Sequence, residues 1–307
     1  HTLGAALCTA GLALANQGDI DQQTLSGATA TGTHGTGLKL RNLSSQVVGV
    51  ELATSEGEVI ECSADSSDPF LHNLWRASRL HLGAFGIVTK IKMQLVDSYK
   101  LAETGWQATL DETLEQFEKL CLEHRHCEFF WFPQTDKAQV KCINETQAEP
   151  SYPLAEEGSR VGWNYEVLPN HRPVKHSEME YSVPFERAID CMKDIQALLD
   201  KDFRHIKWPV EFRAQGADDV ALSPAYGKDV VTISVHQGAE EEEEPYFRAC
   251  EEIFLNYGGK PHWGKVNYLT GEQMESLHEG WDLWWELRNA IDPSKTFLND
   301  YLKSLSA

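Results

Sequence analysis

The sequence predicts an α+β protein of two domains, residues 1–97 and 98–307. Three observations carry that prediction. The run GDIDQQTLSGATATGTHGTG over residues 18–37 sets Gly18, Gly27, Gly32, Gly35 and Gly37 among Thr, Ser and Asp, and glycine lets a backbone take positive φ or approach a ligand closely. Segments with the alternation of strands and segments with the periodicity of helices then follow one another along the chain. Around residues 97–101 the pattern changes register, and the domain boundary is placed there.

Taken in order, HTLGAALCTAGLALANQG reads as an Ala- and Leu-rich helix over residues 3–14, ended by Gly11 or soon after. It reads as a helix already under way and opens without an initiator Met, so the chain is expected to be N-terminally incomplete. The glycine-rich stretch follows. Residues 47–63 alternate β-branched and polar residues about a turn at Glu56 and Gly57, which predicts a hairpin. A helix from about Asp68, a turn at residues 83–86 and a strand over residues 87–96 complete the first domain. In the second, TLDETLEQFEKLCLEH is an amphipathic helix capped by Thr109 or Asp111, CEFFWFP is a buried aromatic strand, and residues 134–172 read mostly as loop. MEYSVP is a strand, and FERAIDCMKDIQALLDKD is a helix with Ile189, Met192 and Ile195 on one face. WPVEFRA, KDVVTISVHQ and HWGKVNYL are further strands, so this domain is expected to hold a mixed or antiparallel sheet flanked by helices. The glutamates at residues 240–244 read as the solvated start of a helix, and DPSKTFLNDYL, after a Trp-rich helix at residues 280–290, as a tail folding back on the body.

Composition excludes several classes. A formal charge of −20 and a pI near 5.0 argue against nucleic acid or an anionic membrane as partner, because both need clustered Lys and Arg. No apolar run reaches the length of a membrane span, and no charged-then-apolar leader opens the chain. Cys8, Cys62, Cys121, Cys127, Cys142, Cys191 and Cys250 are scattered, odd in number and without a CxxC pair. Neither structural zinc nor a disulfide framework is therefore expected; reduced thiols and a cytoplasmic location are.

Loops rich in Gly and Thr offer N–H groups and hydroxyls to oxyanions, so a phosphate-bearing cofactor is the natural guest of residues 18–37. Glu211 and Arg213 stand two apart in WPVEFRA, on one face of a strand. They are either a surface ion pair or, facing a pocket, a guanidinium fork for substrate oxygens beside a carboxylate that receives a hydroxyl proton. In HWGK, Lys265 is a cation able to stabilise negative charge on a reduced ring, and Gly264 leaves room for close approach. His262 alone reads as a core or rim histidine, and His236, closing VVTISVH, is a further inward candidate. For His34 no spacing supports a metal, and no metal is expected elsewhere; a ring held by neighbouring backbone beside a cofactor is the expected role.

These blocks are recognisable together. Residues 18–37 followed by LGAFGIVTKIKMQL resemble the PCMH-type flavin-binding domain of the vanillyl-alcohol-oxidase superfamily. MEYSVP, PVEFR, LSPAY, PHWGK and DPSKTFLNDYL resemble its sugar-lactone and alditol oxidase branch. The match covers residues 11–96 and most of 178–302, and the ordered set of glycine stretch, ExR and HWGK is specific. The resemblance implies the remainder of a PCMH-type FAD-binding domain, with its first subdomain missing, followed by a substrate (cap) domain whose C-terminal segment folds back on the FAD domain. It implies FAD and hydride transfer from a carbinol to flavin N5. By motif position, Asp19, Thr24, Gly27, Thr31, Gly32, Thr33 and His34 lie along the flavin and its pyrophosphate, with Ile87 further along. Glu211 and Arg213 match the pair that binds substrate hydroxyls, Lys265 the lysine at the reactive edge, and Gly18 the small residue that admits oxygen. Asp19 and His236 are expected on the substrate side.

The implied function is an FAD-dependent oxidase of an aldono-1,4-lactone, passing electrons to O2 and forming hydrogen peroxide. An alditol is the alternative polyol substrate, and a sugar-binding fragment without redox work is the alternative from another class.

Overall fold

Alternation of side chains along extended strands divides the larger sheet of this molecule into a polar face and an apolar one. The computed structural model describes residues 2–306. Its first part runs α1 (Thr2–Thr9), β1 (Leu12–Ala13), α2 (Leu25–Ala30), β2 (Val47–Ala53), β3 (Val59–Ser63), α3 (Pro69–Ser78), β4 (Ile87–Met93) and β5 (Val96–Asp97). There follow β6 (Lys100–Thr109), α4 (Leu110–Glu123), β7 (His126–Phe132), β8 (Lys137–Thr146), β9 (Val161–Trp163), α5 (Asn164–Val167), β10 (His176–Pro184), α6 (Ala188–Asp202), β11 (Val210–Gln215) and β12 (Val230–Gly238). The chain closes with α7 (Glu244–Asn256), β13 (Lys260–Pro261), α8 (Gly271–Leu277), α9 (Trp281–Ile291) and α10 (Asp300–Leu305). β1 pairs with β5, and β3-β2-β4 form a small sheet. The large sheet has eight antiparallel strands in the order β13-β10-β12-β11-β7-β8-β6-β9.

Local chemistry sets the ends of these elements. Thr109 caps α4 in a reciprocal box with Glu112, so the cap is Thr109 and not Asp111. Asp68 accepts from the Phe70 and Leu71 amides, and Pro69 occupies the first turn, where its missing N–H costs nothing. The hairpin of β2 and β3 turns at Gly57, with φ at +82°.

Two expectations need correcting. Residues 134–172 are not mostly loop, because β8 runs through Lys137–Thr146 and pairs with both β6 and β7. Its polar Gln139 and Lys141 alternate with Ala138, Val140 and Cys142, and a polar inner face hides the usual strand signal. HWGKVNYL is not a strand either. Lys260–Pro261, just before it, is the strand that pairs with β10; the His262 and Val266 amides still donate to the Glu180 and Glu178 carbonyls, but the chain turns between them, the Lys265 amide donating to the His262 carbonyl at 3.1 Å. The tail folds back on the body as expected, with Leu298, Leu302 and Leu305 in the core and Asn299 capping the short helix α10.

On the apolar face of the large sheet, Met179, Tyr181, Ile233, Val235, Val210, Phe212, Phe129, Trp131 and Val140 are all buried. They meet Leu114 and Phe117 of α4, Met192 and Ile195 of α6, and Phe247 and Phe254 of α7 in one continuous hydrophobic cluster. Phe212 is stacked on Phe129 at 4.9 Å and met edge-on by Phe117 at 4.8 Å. The opposite face carries Glu178, Glu180, His236, Ser234, Glu211, Arg213, Glu128 and Lys141, aligned by register: Glu180 and Glu211 both oppose Ser234, and Arg213 and Lys141 both oppose Glu128.

The glycine-rich loop docks against this polar sheet. The Gly37 amide donates to the Ala214 carbonyl at 2.7 Å, and the Thr36 hydroxyl to the Cys127 carbonyl at 2.8 Å. Gly37 has φ at +127°, and a Cβ there would stand 2.6 Å from the Arg125 carbonyl oxygen, so only glycine fits. Among the described residues no helix is long and apolar enough to cross a membrane.

Replacing Phe212 by Ala removes the centre of the aromatic stack. It is expected to destabilise the protein by about 3–5 kcal/mol, read as a lowered midpoint of urea unfolding; an unchanged midpoint would refute the stack as the core's keystone.

Candidate functional site

Two adjoining cavities meet at residues 18–20. On one side a cavity of about 420 Å³ is lined by Gly18, Thr24 and Thr33 together with Leu14, Ala28 and Leu43. On the other a cavity of about 440 Å³ is lined by Asp19, Phe130, Trp208, Glu211, Arg213, His236 and Lys265. Ile20 belongs to both walls.

Behind Arg213, which lines the second cavity, lies Glu180, buried on β10. His34 Nε2 is 2.7 Å from its Oε1, the Ser234 hydroxyl donates to its Oε2 at 2.8 Å, and Arg213 donates to that same oxygen. The other nitrogen of His34, Nδ1, faces the carbonyl of Gly35 at 2.8 Å, and His262 stands edge-on to the ring at 5.5 Å. Burial works against ionised Glu180, but His34 and Arg213 outweigh it and hold the carboxyl well below the usual carboxylate range.

Arg213 has one fork and several claimants. Its guanidinium lies 3.4 Å from Glu211 Oε2 and 3.9 Å from Asp19 Oδ1. With Glu180 holding the near contact, burial prevails at Glu211 and pushes its carboxyl well above the usual range despite Arg213. Glu211 Oε1 and Arg213 Nε are both buried without a hydrogen-bond partner. A buried polar atom left unpaired is costly, and since both residues line the second cavity, a hydroxyl bound there is a partner that each lacks.

A second group lies beside the first. Lys265 donates to Glu178 Oε2, and His176 Nε2 and His236 Nε2 are each 3.8 Å from the same carboxylate. Burial opposes the charge on Lys265, but Glu178 and Glu180 prevail and raise its pKa. Burial lowers His236, whereas the contact with Glu178 raises His176. On the far wall Lys141 lies 2.5 Å from Glu128 and 3.1 Å from Glu157, and Arg172 reaches Glu157 at 3.5 Å and Asp19 at 3.8 Å while its guanidinium covers Phe130 at 5.1 Å.

The residues singled out from sequence separate into three sets. Glu211, Arg213, Lys265, His236 and Asp19 line the second cavity together, whereas Gly18, Thr24 and Thr33 line the first. His34 joins the two through Glu180. Gly27 donates its amide to the Thr24 hydroxyl in the cap of α2, Gly32 takes φ at +76°, and Thr31 lies 3.5 Å from where a Cβ on Gly264 would be. Ile87 is not brought to the others; it is 62% exposed at the start of β4 and lines neither cavity. Sequence reasoning missed Glu178, Glu180, His176, Glu128, Lys141 and Arg172. Alternation in EMEYS, with Glu178 and Glu180 on the side opposite Met179 and Tyr181, was the available signal. Nor does spacing along the chain announce that His34, Glu180 and His262, or His176, Glu178 and His236, have ligand atoms within 4.8 Å of one another.

The residues present fit a flavin. The first cavity combines apolar walls with threonine hydroxyls, as a planar ring with a polar rim requires. The chain has no side chain at Gly18, where a Cβ would stand 2.9 Å from Thr33 Cγ2. Gly18, Thr24 and Thr33 would hold the group on that side, and Lys265 lines the adjoining cavity.

Comparison with known proteins identifies the family. The family model described as D-arabinono-1,4-lactone oxidase matches residues 91–159 and 151–305, and that described as FAD binding domain matches residues 1–63. The L-gulono-1,4-lactone dehydrogenase of Mycobacterium tuberculosis is 34% identical over 99% of this chain and 78% of its own length. The L-gulonolactone oxidase of Mus musculus is 26% identical over 96% of this chain and 76% of its own. A solved structure of a solvent-stable cholesterol oxidase superposes with a TM-score of 0.85 over 99% of this chain and 80% of that one; at 16% identity it shows the fold alone. On this evidence the chain belongs to the D-arabinono-1,4-lactone oxidase family of FAD-binding oxidoreductases.

Proposed function

We propose that this protein oxidises a carbinol of an aldono-1,4-lactone in the second cavity, with O2 as the electron acceptor. The observation that carries the reading is the unpaired couple of Glu211 Oε1 and Arg213 Nε. A substrate hydroxyl placed there satisfies both: Arg213 donates to its oxygen and Glu211 accepts its proton. FAD, when bound, supplies the acceptor for the hydride that leaves the same carbon. Glu180 keeps the Arg213 fork turned toward Glu211, and Lys265 holds a fixed positive charge at the cavity wall. A lactone is preferred to an alditol because the family model and both curated relatives above carry lactone names.

The charges of the wall suit a neutral substrate. Arg213 is matched by Glu180, Lys265 by Glu178, Lys141 by Glu128 and Glu157, and Arg172 by Glu157 and Asp19. Among the described residues no cation of this wall is left over for a carboxylate, and an unmatched charge is what a selective site uses against the wrong ligand. O2 as acceptor rests on the motif position of Gly18, where the resemblance places the small residue that admits oxygen and where this chain lines the first cavity.

Four outcomes test the reading. Glu211→Gln is expected to lower kcat by about 10²–10⁴-fold while the flavin absorbance of the purified protein stays, and unchanged turnover would remove Glu211 from the reaction. Since the base must be ionised and burial raises its pKa, wild-type kcat/KM rises with pH through that pKa, and the variant loses this limb. The ring-opened aldonate should bind at least about tenfold more weakly than its lactone in a competition assay, equal binding overturning the neutral-substrate reading. Gly18→Ala should slow reoxidation of the reduced flavin by O2 in stopped-flow mixing without slowing its reduction by substrate; an unaltered oxygen rate would exclude Gly18 as the opening.

A further inference from the structure

We infer that His176, Glu178 and His236 form a binding site for a divalent transition-metal ion such as zinc, and that an ion there closes the substrate cavity. The three residues line the second cavity, and their ligand atoms lie within 4.8 Å of one another. Register sets the arrangement: Glu178 directly opposes His236 across β10 and β12, and His176 precedes Glu178 by two residues on the same face.

The hydrogen bonds of the two rings supply the second argument. Nδ1 of His176 is 2.9 Å from the Val174 carbonyl oxygen, and Nδ1 of His236 is 2.8 Å from that of Pro209. A carbonyl can only accept, so each Nδ1 carries the proton and each Nε2 presents a lone pair in the neutral ring. Both Nε2 atoms are turned to Glu178, at 3.8 Å from Oε2 for His176 and from Oε1 for His236. Pinning one ring nitrogen on the backbone while the other faces the ion is how metal-binding histidines are held. Ligand atoms of a tetrahedral zinc lie about 3.3 Å apart, from bond lengths near 2.0–2.1 Å, so small side-chain rotations close the present distances. Two imidazoles and one carboxylate suit zinc and its neighbours rather than calcium or magnesium.

The position already holds a positive charge. Lys265 is paired with Glu178 there, and its side chain keeps 28% of its surface exposed, so it can withdraw when an ion takes the carboxylate. The other histidine cluster lacks these properties. His34, Glu180 and His262 are all buried, and His262 Nδ1 accepts from the Gly264 amide at 3.0 Å, which leaves the proton on its Nε2. An ion on His176, Glu178 and His236 removes Lys265 from its partner and takes the space of a substrate hydroxyl, so substrate and ion exclude each other. The binding is independent of the reaction proposed above, whereas the inhibition rests on it.

Equilibrium dialysis of the flavin-loaded protein against zinc chloride tests the site. The wild type is expected to bind a single zinc ion per chain, and Glu178→Gln and His176→Phe each to bind it more than about 100-fold more weakly. Phe keeps a ring against Trp208 and His236, which pack on His176 at 5.3 Å each, and a thermal melt checks that each variant is folded. Absence of zinc from the wild type, or wild-type affinity in both folded variants, overturns the site. With lactone as substrate, zinc is expected to raise KM and leave kcat unchanged; a lowered kcat at saturating lactone overturns the exclusion. If no lactone is turned over at all, the proposed function fails and dialysis still decides the site.

Discussion

One buried carboxylate holds the candidate site together. Glu180 receives His34 from the glycine-rich loop and Arg213 and Ser234 from neighbouring strands, with all of them out of solvent. Breaking a buried pair by removing one partner strands the other charge and typically costs about 3–5 kcal/mol. The loop and the sheet are therefore tied at a point where neither can slip without leaving a charge uncompensated. The cavities on the two sides of residues 18–20 inherit their positions from this tie.

The same arginine explains why two carboxylates on one sheet face behave differently. Glu180 owns the close contact with Arg213 and His34 and is held ionised, whereas Glu211 reaches Arg213 only at 3.4 Å and burial raises its pKa. Neighbouring groups driven in opposite directions are how one site obtains a fixed anion and a proton acceptor from the same side chain type. Position relative to one guanidinium makes the distinction; residue identity does not.

Much of this was legible in the sequence, for identifiable reasons. Glu211 and Arg213 two apart in a strand had to share a face, and the threonines and glycines of residues 18–37 could be read as a cradle because few other roles need that composition. The strand β8 was illegible because Gln139 and Lys141 face a polar interior, which breaks the association of inward with apolar on which periodicity depends. HWGK misled in the opposite way: a turn that carries buried His262 and Trp263 has the hydrophobicity of a strand without its extension. Glu178, Glu180 and His176 matter through what approaches them from β11, β12 and the loop, and a one-dimensional pattern cannot show such encounters. Ile87 was assigned by motif position alone, and the fold leaves it at the surface of the small sheet.

That Gly18 and Asp19 line different cavities has a consequence for how this scaffold can diverge. Gly18 and Asp19 are covalent neighbours that serve opposite chambers, and the Asp19 carbonyl is fastened to the Asn170 amide at 2.6 Å. That bond does not involve the Asp19 side chain, so the side chain facing the second chamber can change while the backbone beside the first stays in place. Phe132 and Trp208, at the rim of the second chamber and remote in sequence from residues 18–20, are further positions where descendants can acquire new substrates while the redox partner stays as it was.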